Sequence, residues 1–402
     1  MDIEHNSREK FYRFPFGAVT CGGEVRLRLA VSGAGIPSAV RLVYMEDGKG
    51  EVRKDMPYIF DVGDHCIYSV NVKMPEKAGL VWYYFELETE RGMVYYGNNS
   101  KQLGGIGEMC FNSPSNSYQI TVYNEDYKTP DWFKTGIAYQ IFVDRFCNGN
   151  ENGEFLGNRT DIIKRNWGEQ PFYKAEQFGG EYKANDFFGG NLKGVIKKLP
   201  YLKDLGISVI YLNPIFKAYS NHKYDTGDYE TIDPMFGDEE TFKELCSKAK
   251  EMGIRIILDG VFNHTGSNSR YFNKYGEYDS VGAYQSKESP YYTWFRFMDW
   301  PDVYESWWGM TTLPQIEEHS EECRKYLLSD KDAIVKRWIK NGASGWRLDV
   351  VDELPGFFVK ELRENVKKAD KDAVIIGEVW EDASNKSAYG ERREYFLGKE
   401  LD

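Results

Sequence analysis

The 402-residue chain carries 51 Lys and Arg against 63 Asp and Glu, a formal net charge of −12, with 41% apolar and 16% aromatic residues. That length accommodates two domains, or one large barrel with an accessory module. The acidic balance argues against a nucleic-acid partner, which needs basic patches, and no apolar run approaches the roughly 18 residues of a membrane span.

In chain order, the N-terminus MDIEHNSREKFYRF has neither a basic n-region nor an apolar h-region, so no signal peptide is expected and the expected location is cytoplasmic. Residues 1–125 are expected to form an all-β sandwich module. Short alternating runs recur at 24–30, 39–44, 66–72, 80–87 and 118–122, separated by SGAGIP, EDGKGE, MPEKAG and NNSKQLGGIG. Residues 123–132 read as a linker. Cys21, Cys66, Cys110, Cys147, Cys246 and Cys323 are widely spread with no CxxC pair, and are expected as reduced, mostly buried thiols.

From 126 to 402 the texture changes. An amphipathic helix, a glycine, an apolar strand and a polar residue follow one another in YLKDLGISVIYLNP, CSKAKEMGIRIILDGVFNH and RWIKNGASGWRLDV, with a partial copy in VIIGEVW. Gly206, Gly253 and Gly342 stand where left-handed helix ends belong. Asp238 is placed as an N-cap, and Pro200 is expected to interrupt one helix and start a second short piece. Continuous apolar strands alternating with helices predict a parallel sheet, barrel or doubly wound. Strands are expected at 137–143, 209–213, 256–261, 346–350 and 374–379.

The chemistry gathers at the strand ends, the rim where α/β folds build their sites. DGVFNH puts Asp259, Asn263 and His264 at one end. GWRLD puts Arg347 and Asp349 two apart, on the same strand face, where the arginine is expected to hold the carboxylate ionised. GEVW puts Glu378 beside apolar neighbours, a setting that suits a general acid. Turn-forming polar residues, a structural ion pair and a solvated strand-end glutamate are the plainer alternatives. Each motif is weak alone; together, in this order, they are specific. No GxGxxG or GxxxxGK[ST] opens a helix after a strand, which disfavours a nucleotide-binding protein.

These three motifs, with IFVDRFCNGN, DFFGGNLKGVI and YLNPIFKAYSNHKYDTGDY, resemble the catalytic barrel of the α-amylase family of glycoside hydrolases, and within it the neopullulanase–cyclomaltodextrinase–maltogenic amylase group. The resemblance runs from about 136 to 384. It implies a parallel (β/α)8 TIM-type barrel preceded by an immunoglobulin-like, glucan-binding-like sandwich. It implies a retaining hydrolase of α-1,4 and some α-1,6 glucosidic bonds in maltooligosaccharides, cyclodextrins, pullulan or starch. Asp349 matches the nucleophile, Glu378 the acid/base and Arg347 the residue that orients Asp349. His222 and His264 match residues that bind hydroxyls of the cleaved sugar, Tyr224 the ring stacked beneath it. Asp259 and Asn263 match structural positions. Trp307, Trp308 and Trp380 are candidate sugar platforms, although most aromatics of the insertion at about 265–315 are expected to form its own core. Asn148 and Asn150 resemble a calcium loop; no cofactor is implied for the chemistry. The complete protein is expected to pair as a homodimer. A non-catalytic glucan-binding fragment and a glucan transglycosylase are the competing readings.

Departures are visible. Glu381 and Asp352 stand where many relatives have His and Asn, and LPQIEE replaces a Pro-Lys-Leu-Asn run. Only about the first five of eight strands are countable, and the family's later His-Asp motif has no counterpart; Asp402 stands in no matching context. The chain therefore reads as incomplete, poorly stable and nearly inactive by itself.

Overall fold

The computed structural model describes residues 1–402 apart from Ala34, Ser113, Ser115 and Glu181. The chain divides into two compact units, Met1–Lys128 with Glu394–Lys399, and Thr129–Arg393 with Glu400–Asp402. The boundary falls inside the segment read as a linker.

The first unit is two sheets closed over one core. One sheet runs Asp2–Glu4, Glu24–Ser32, His65–Lys73, Tyr58–Val62. The other centres on Gly79–Thr89, which pairs with Ala39–Glu46 along one edge and with Gly92–Gly97 and Tyr118–Tyr123 along the other. Alternation explains the burial: Val25, Leu27 and Leu29 point inward from one sheet and meet Leu42, Tyr83 and Phe85 from the other. All five runs read from the sequence are strands. The strands Val52–Asp55 and Tyr58–Val62 carry little or no buried alternation, which is why the pattern did not reveal them.

The second unit holds a parallel sheet of β1 (Ala138–Ile141), β2 (Val209–Leu212), β3 (Arg255–Gly260), β4 (Gly345–Leu348) and β5 (Val374–Gly377), in that spatial order. Helices α1 (Leu192–Asp204), α2 (Glu239–Glu251), α3 (Ile334–Lys340) and α4 (Gly356–Ala369) fill the successive crossovers. Asn191 and Asp238 cap α1 and α2 by accepting from Gly194 N and Thr241 N. Gly206, Gly253 and Gly342 take φ of +86°, +73° and +115° just past their helices, as the spacing predicts. Pro200 does not divide its helix: α1 runs unbroken through it. The proline removes one backbone donor, but Leu199 and Leu202 are buried on either side and keep both halves on one axis.

The end of β5 also differs from expectation. Asp402 is no bystander: its N–H donates to Ile375 O at 2.9 Å, and its carboxylate accepts from Ile375 N at 3.0 Å while pairing with Arg363 and Lys367 at 2.8 Å each. The outer side of β5 thus has a partner at this point. Of the six thiols, all free, only Cys246 and Cys323 are buried; the other four are partly exposed, because they lie near strand and turn edges. Among the described residues no helix is long and apolar enough to cross a membrane.

Candidate active site

The parallel ladder extends one residue beyond β4 and β5. Asp349 N donates to Gly260 O and Glu378 N to Leu348 O, both at 3.1 Å, so the backbone carries both carboxylates to the same rim. There Arg347 joins them. Its Nη1 lies 2.8 Å from Asp349 Oδ1 and 3.0 Å from Asp259 Oδ2, and its Nη2 lies 2.6 Å from Glu378 Oε2. One planar guanidinium therefore grips three acidic side chains.

Burial decides the protonation of Asp349 and Asp259 more than the arginine does. Asp349 is pushed up to about 7, first by burial, then by the Asp259 charge, with Arg347 opposing. Asp259 is raised to about 6 by burial, against Arg347 and the two phenols that donate to it. This corrects the expectation that an adjacent arginine suffices to hold Asp349 ionised: three carboxylates share one cation, and Asp259 and Asp349 are buried.

Tyr211, Tyr224, Asn263 and Val350 complete the floor. Tyr211 on β2 donates a short hydrogen bond to Asp259 Oδ2, and Tyr224 donates to the same oxygen at 3.1 Å. Tyr211 stands two residues before Asn213, so strand alternation was the available signal. Asn263 donates to Asp349 O at 2.6 Å, bracing the nucleophile candidate from behind. Val350 adopts φ +38°, rare for a β-branched residue, and its amide donates to Glu378 Oε2 at 3.0 Å.

The walls form a cavity of about 790 Å³ lined by His222, Tyr224, His264, Trp307, Arg347, Asp349, Glu378 and Trp380, among others. His222 Nδ1 accepts from Tyr224 N at 3.2 Å, and burial lowers the imidazole's value, leaving Nε2–H for a ligand. His264 is 2% exposed, lowered to about 4 by burial, and donates through Nε2 to Tyr224 O at 3.0 Å. Its ring centre is 5.1 Å from that of Trp307.

Within the insertion, Trp294, Phe295 and Tyr304 are buried and form the small core expected of it. Trp307 and Trp308 do not join that core. Their rings stack at 5.1 Å, both indole N–H groups donate to Glu353, and Trp308 meets Trp380 edge-on at 5.8 Å. Trp308 and Trp380 stay 64% and 60% exposed, which leaves ring faces open at the cavity mouth. Glu353, four residues past the GWRLD motif, was not anticipated.

Asn148 and Asn150 shape a turn away from these groups. Their amides donate to Gly153 O and Glu154 O at 2.7–3.1 Å, and Asn148 Oδ1 accepts from Asn150 N and Asn191 Nδ2. The turn's own hydrogen bonds occupy Asn148 Oδ1 and the Gly153 and Glu154 carbonyls, and the side chains of Glu151 and Glu154 are exposed. Among the described residues no group of three or more His, Cys, Asp or Glu could hold a metal. As arranged, these residues do not fit the charged oxygen cage that calcium prefers.

Comparison with known proteins agrees with this geometry. Residues 140–396 match the family model for the α-amylase catalytic domain. The amylopullulanase of Thermoanaerobacterium saccharolyticum is 39% identical over 413 residues, covering 95% of this chain and 32% of that protein. The cyclomaltodextrinase of Thermoanaerobacter pseudethanolicus is 41% identical over 266 residues, covering 63% of this chain and 41% of the relative. The solved type III pullulan hydrolase from Thermococcus kodakarensis superposes with a TM-score of 0.60 at 28% identity, covering 100% of this chain and 64% of that one. The chain spans about a third or less of the amylopullulanases it matches. With motif order, rim geometry and family match in agreement, the chain belongs to the α-amylase family of glycoside hydrolases.

Proposed function

We propose that Asp349 is the nucleophile and Glu378 the acid/base in retaining hydrolysis of α-1,4, and some α-1,6, glucosidic bonds of α-glucans. The observation that carries this reading is the Arg347 guanidinium holding both carboxylates, at 2.8 and 2.6 Å, in one cavity. A retaining pair works at a separation of about 5–5.5 Å, and sharing one guanidinium supports such closeness. The finer architecture that goes with the reading is a (β/α)8 barrel whose first five strands lie here, after an immunoglobulin-like module.

In this reading Asp349 attacks the anomeric carbon while Glu378 gives its proton to the departing glycosidic oxygen. The C–O bond to the leaving chain breaks as the glycosyl ester forms. Glu378, now ionised, takes a proton from water, which attacks the same carbon and frees Asp349. Burial keeps Asp349 basic, so the ion that forms is poorly solvated and reactive. His222 offers Nε2–H to a sugar hydroxyl. Trp307, Trp308 and Trp380 supply ring faces that pack on the C–H faces of pyranoses.

Reducing-sugar release from β-cyclodextrin, pullulan and soluble starch tests this, with Asp349→Asn as the blank. In the full (β/α)8 barrel of this reading, the expected result is release that the substitution abolishes, with a glycosyl adduct on Asp349 trapped by a fluorinated glucosyl fluoride. Release that survives Asp349→Asn would remove this residue from the chemistry.

A further inference from the structure

Lys223 lies between His222 and Tyr224, which both line the catalytic cavity, yet its own side chain turns the other way and is 0% exposed. It sits at φ +64°, in the left-handed region that non-glycine residues seldom adopt. Its ammonium is 2.7 Å from Asp233 Oδ2 and donates to Ala218 O at 3.0 Å. The ring centres of Phe187 and Phe236 lie 5.0 and 5.4 Å from it. Asp233 is buried as well, and accepts from Ala218 N and Met235 N at 3.2 and 2.9 Å.

These partners come from separate stretches of chain. Phe187 precedes α1, Ala218 ends one strand of the hairpin after β2, and Asp233 and Phe236 follow its second strand, Thr226–Ile232. Two ions removed from water are a poor route to stability alone, because desolvation offsets most of their attraction. A glycine would relieve the backbone, and an apolar side chain would fill the space.

What the ion pair does fix is direction. The chain reverses at Lys223, so the flanking rings emerge side by side, 5.9 Å apart and inclined by 30°. Tyr224 then meets three partners at once: its N–H reaches His222 Nδ1, its carbonyl His264 Nε2, and its hydroxyl Asp259.

We propose that Lys223 is a positioning residue: its buried pair with Asp233 locks the turn that aims His222 and Tyr224 into the cleft. Substrate affinity then depends on a side chain the substrate never touches. The inference rests on the proposed function only in that His222 and Tyr224 contact the glucan.

Lys223→Met alone strands a buried carboxylate and destabilises the fold. Lys223→Met with Asp233→Asn removes both charges and the tether, and keeps one of the two backbone hydrogen bonds that Asp233 accepts. In the Asp349→Asn background, where substrate is not consumed, calorimetric titration with maltoheptaose and β-cyclodextrin gives the answer. The double variant is expected to melt within about 3 °C of its parent and to bind at least about tenfold more weakly. Parent-like affinity in the folded double variant overturns the role of Lys223 while leaving the active-site reading intact. No glucan binding by the Asp349→Asn parent overturns both. Should the double variant melt far below its parent, hydrogen exchange on the unsubstituted chain decides. The Asn221 and Lys223 amides are expected to exchange as slowly as those of β2, and exchange at the rate of an open loop overturns the proposal.

Discussion

Asp349 and Asp259 share one guanidinium nitrogen of Arg347, at 2.8 and 3.0 Å. The Asp259 charge raises the value of Asp349, while Arg347 lowers both. An aspartate held at about 7, against roughly 3.9 when unfolded, binds its proton more tightly in the folded state. Its contribution to stability is therefore present at low pH and is lost as pH rises through 7. As the proposed nucleophile, Asp349 is conversely ionised on the alkaline side of that window. Asp259→Asn removes a negative neighbour, so ionisation of Asp349 becomes easier. The acid limb of kcat/KM is expected to move to lower pH; a limb that stays or moves up would show that burial alone sets the value. The identities of Asp349, Glu378 and Arg347 were legible because short motifs at strand ends expose them. The protonation of Asp349 was not, since it depends on how deeply Asp259, far away in sequence, is buried beside it.

At the scale of elements, β4 and β5 approach each other through Gly345. A Cβ there would stand 2.2 Å from Val374 O and 3.0 Å from its N and C atoms, so any side chain pushes the strands apart. Gly345→Ala is expected to lower the unfolding free energy by about 1–3 kcal/mol in urea titration. Gly50→Ala, where nothing lies within 4 Å, is the control and should change little. The same ladder delivers Asp349 and Glu378 to the rim, so activity should fall with the strand contact. The helices of this unit were readable from caps and periodicity, except across Pro200. Local chemistry there favours a break, but the buried stripe of Leu199 and Leu202 keeps α1 whole.

At the scale of the whole molecule, the question of calcium belongs to the turn at Asn148 and Asn150. Its amides hydrogen-bond within the turn and with Asn191, and the side chains of Glu151 and Glu154 are exposed. EDTA and millimolar calcium are each expected to leave the melting temperature unchanged. A calcium-dependent rise of several degrees would mean that the ion binds the folded chain preferentially and rearranges these amides. The acidic surface, net −12, suits a neutral glucan as partner and gives no electrostatic steering toward an anion.

The sequence by itself determined the β-rich module, the alternating helices and parallel strands, the strand-end carboxylates and the family. These are written in local periodicity, caps and contiguous motifs, which need no knowledge of distant neighbours. Only the tertiary structure decided that one guanidinium serves three carboxylates, that Tyr211 and Asn263 brace them, and that Glu353 holds the paired indoles. The same is true of the buried Lys223 beneath the turn of His222 and Tyr224. These depend on residues from separate elements meeting at a distance of about 3 Å, where burial and geometry, not residue identity, set charge and direction.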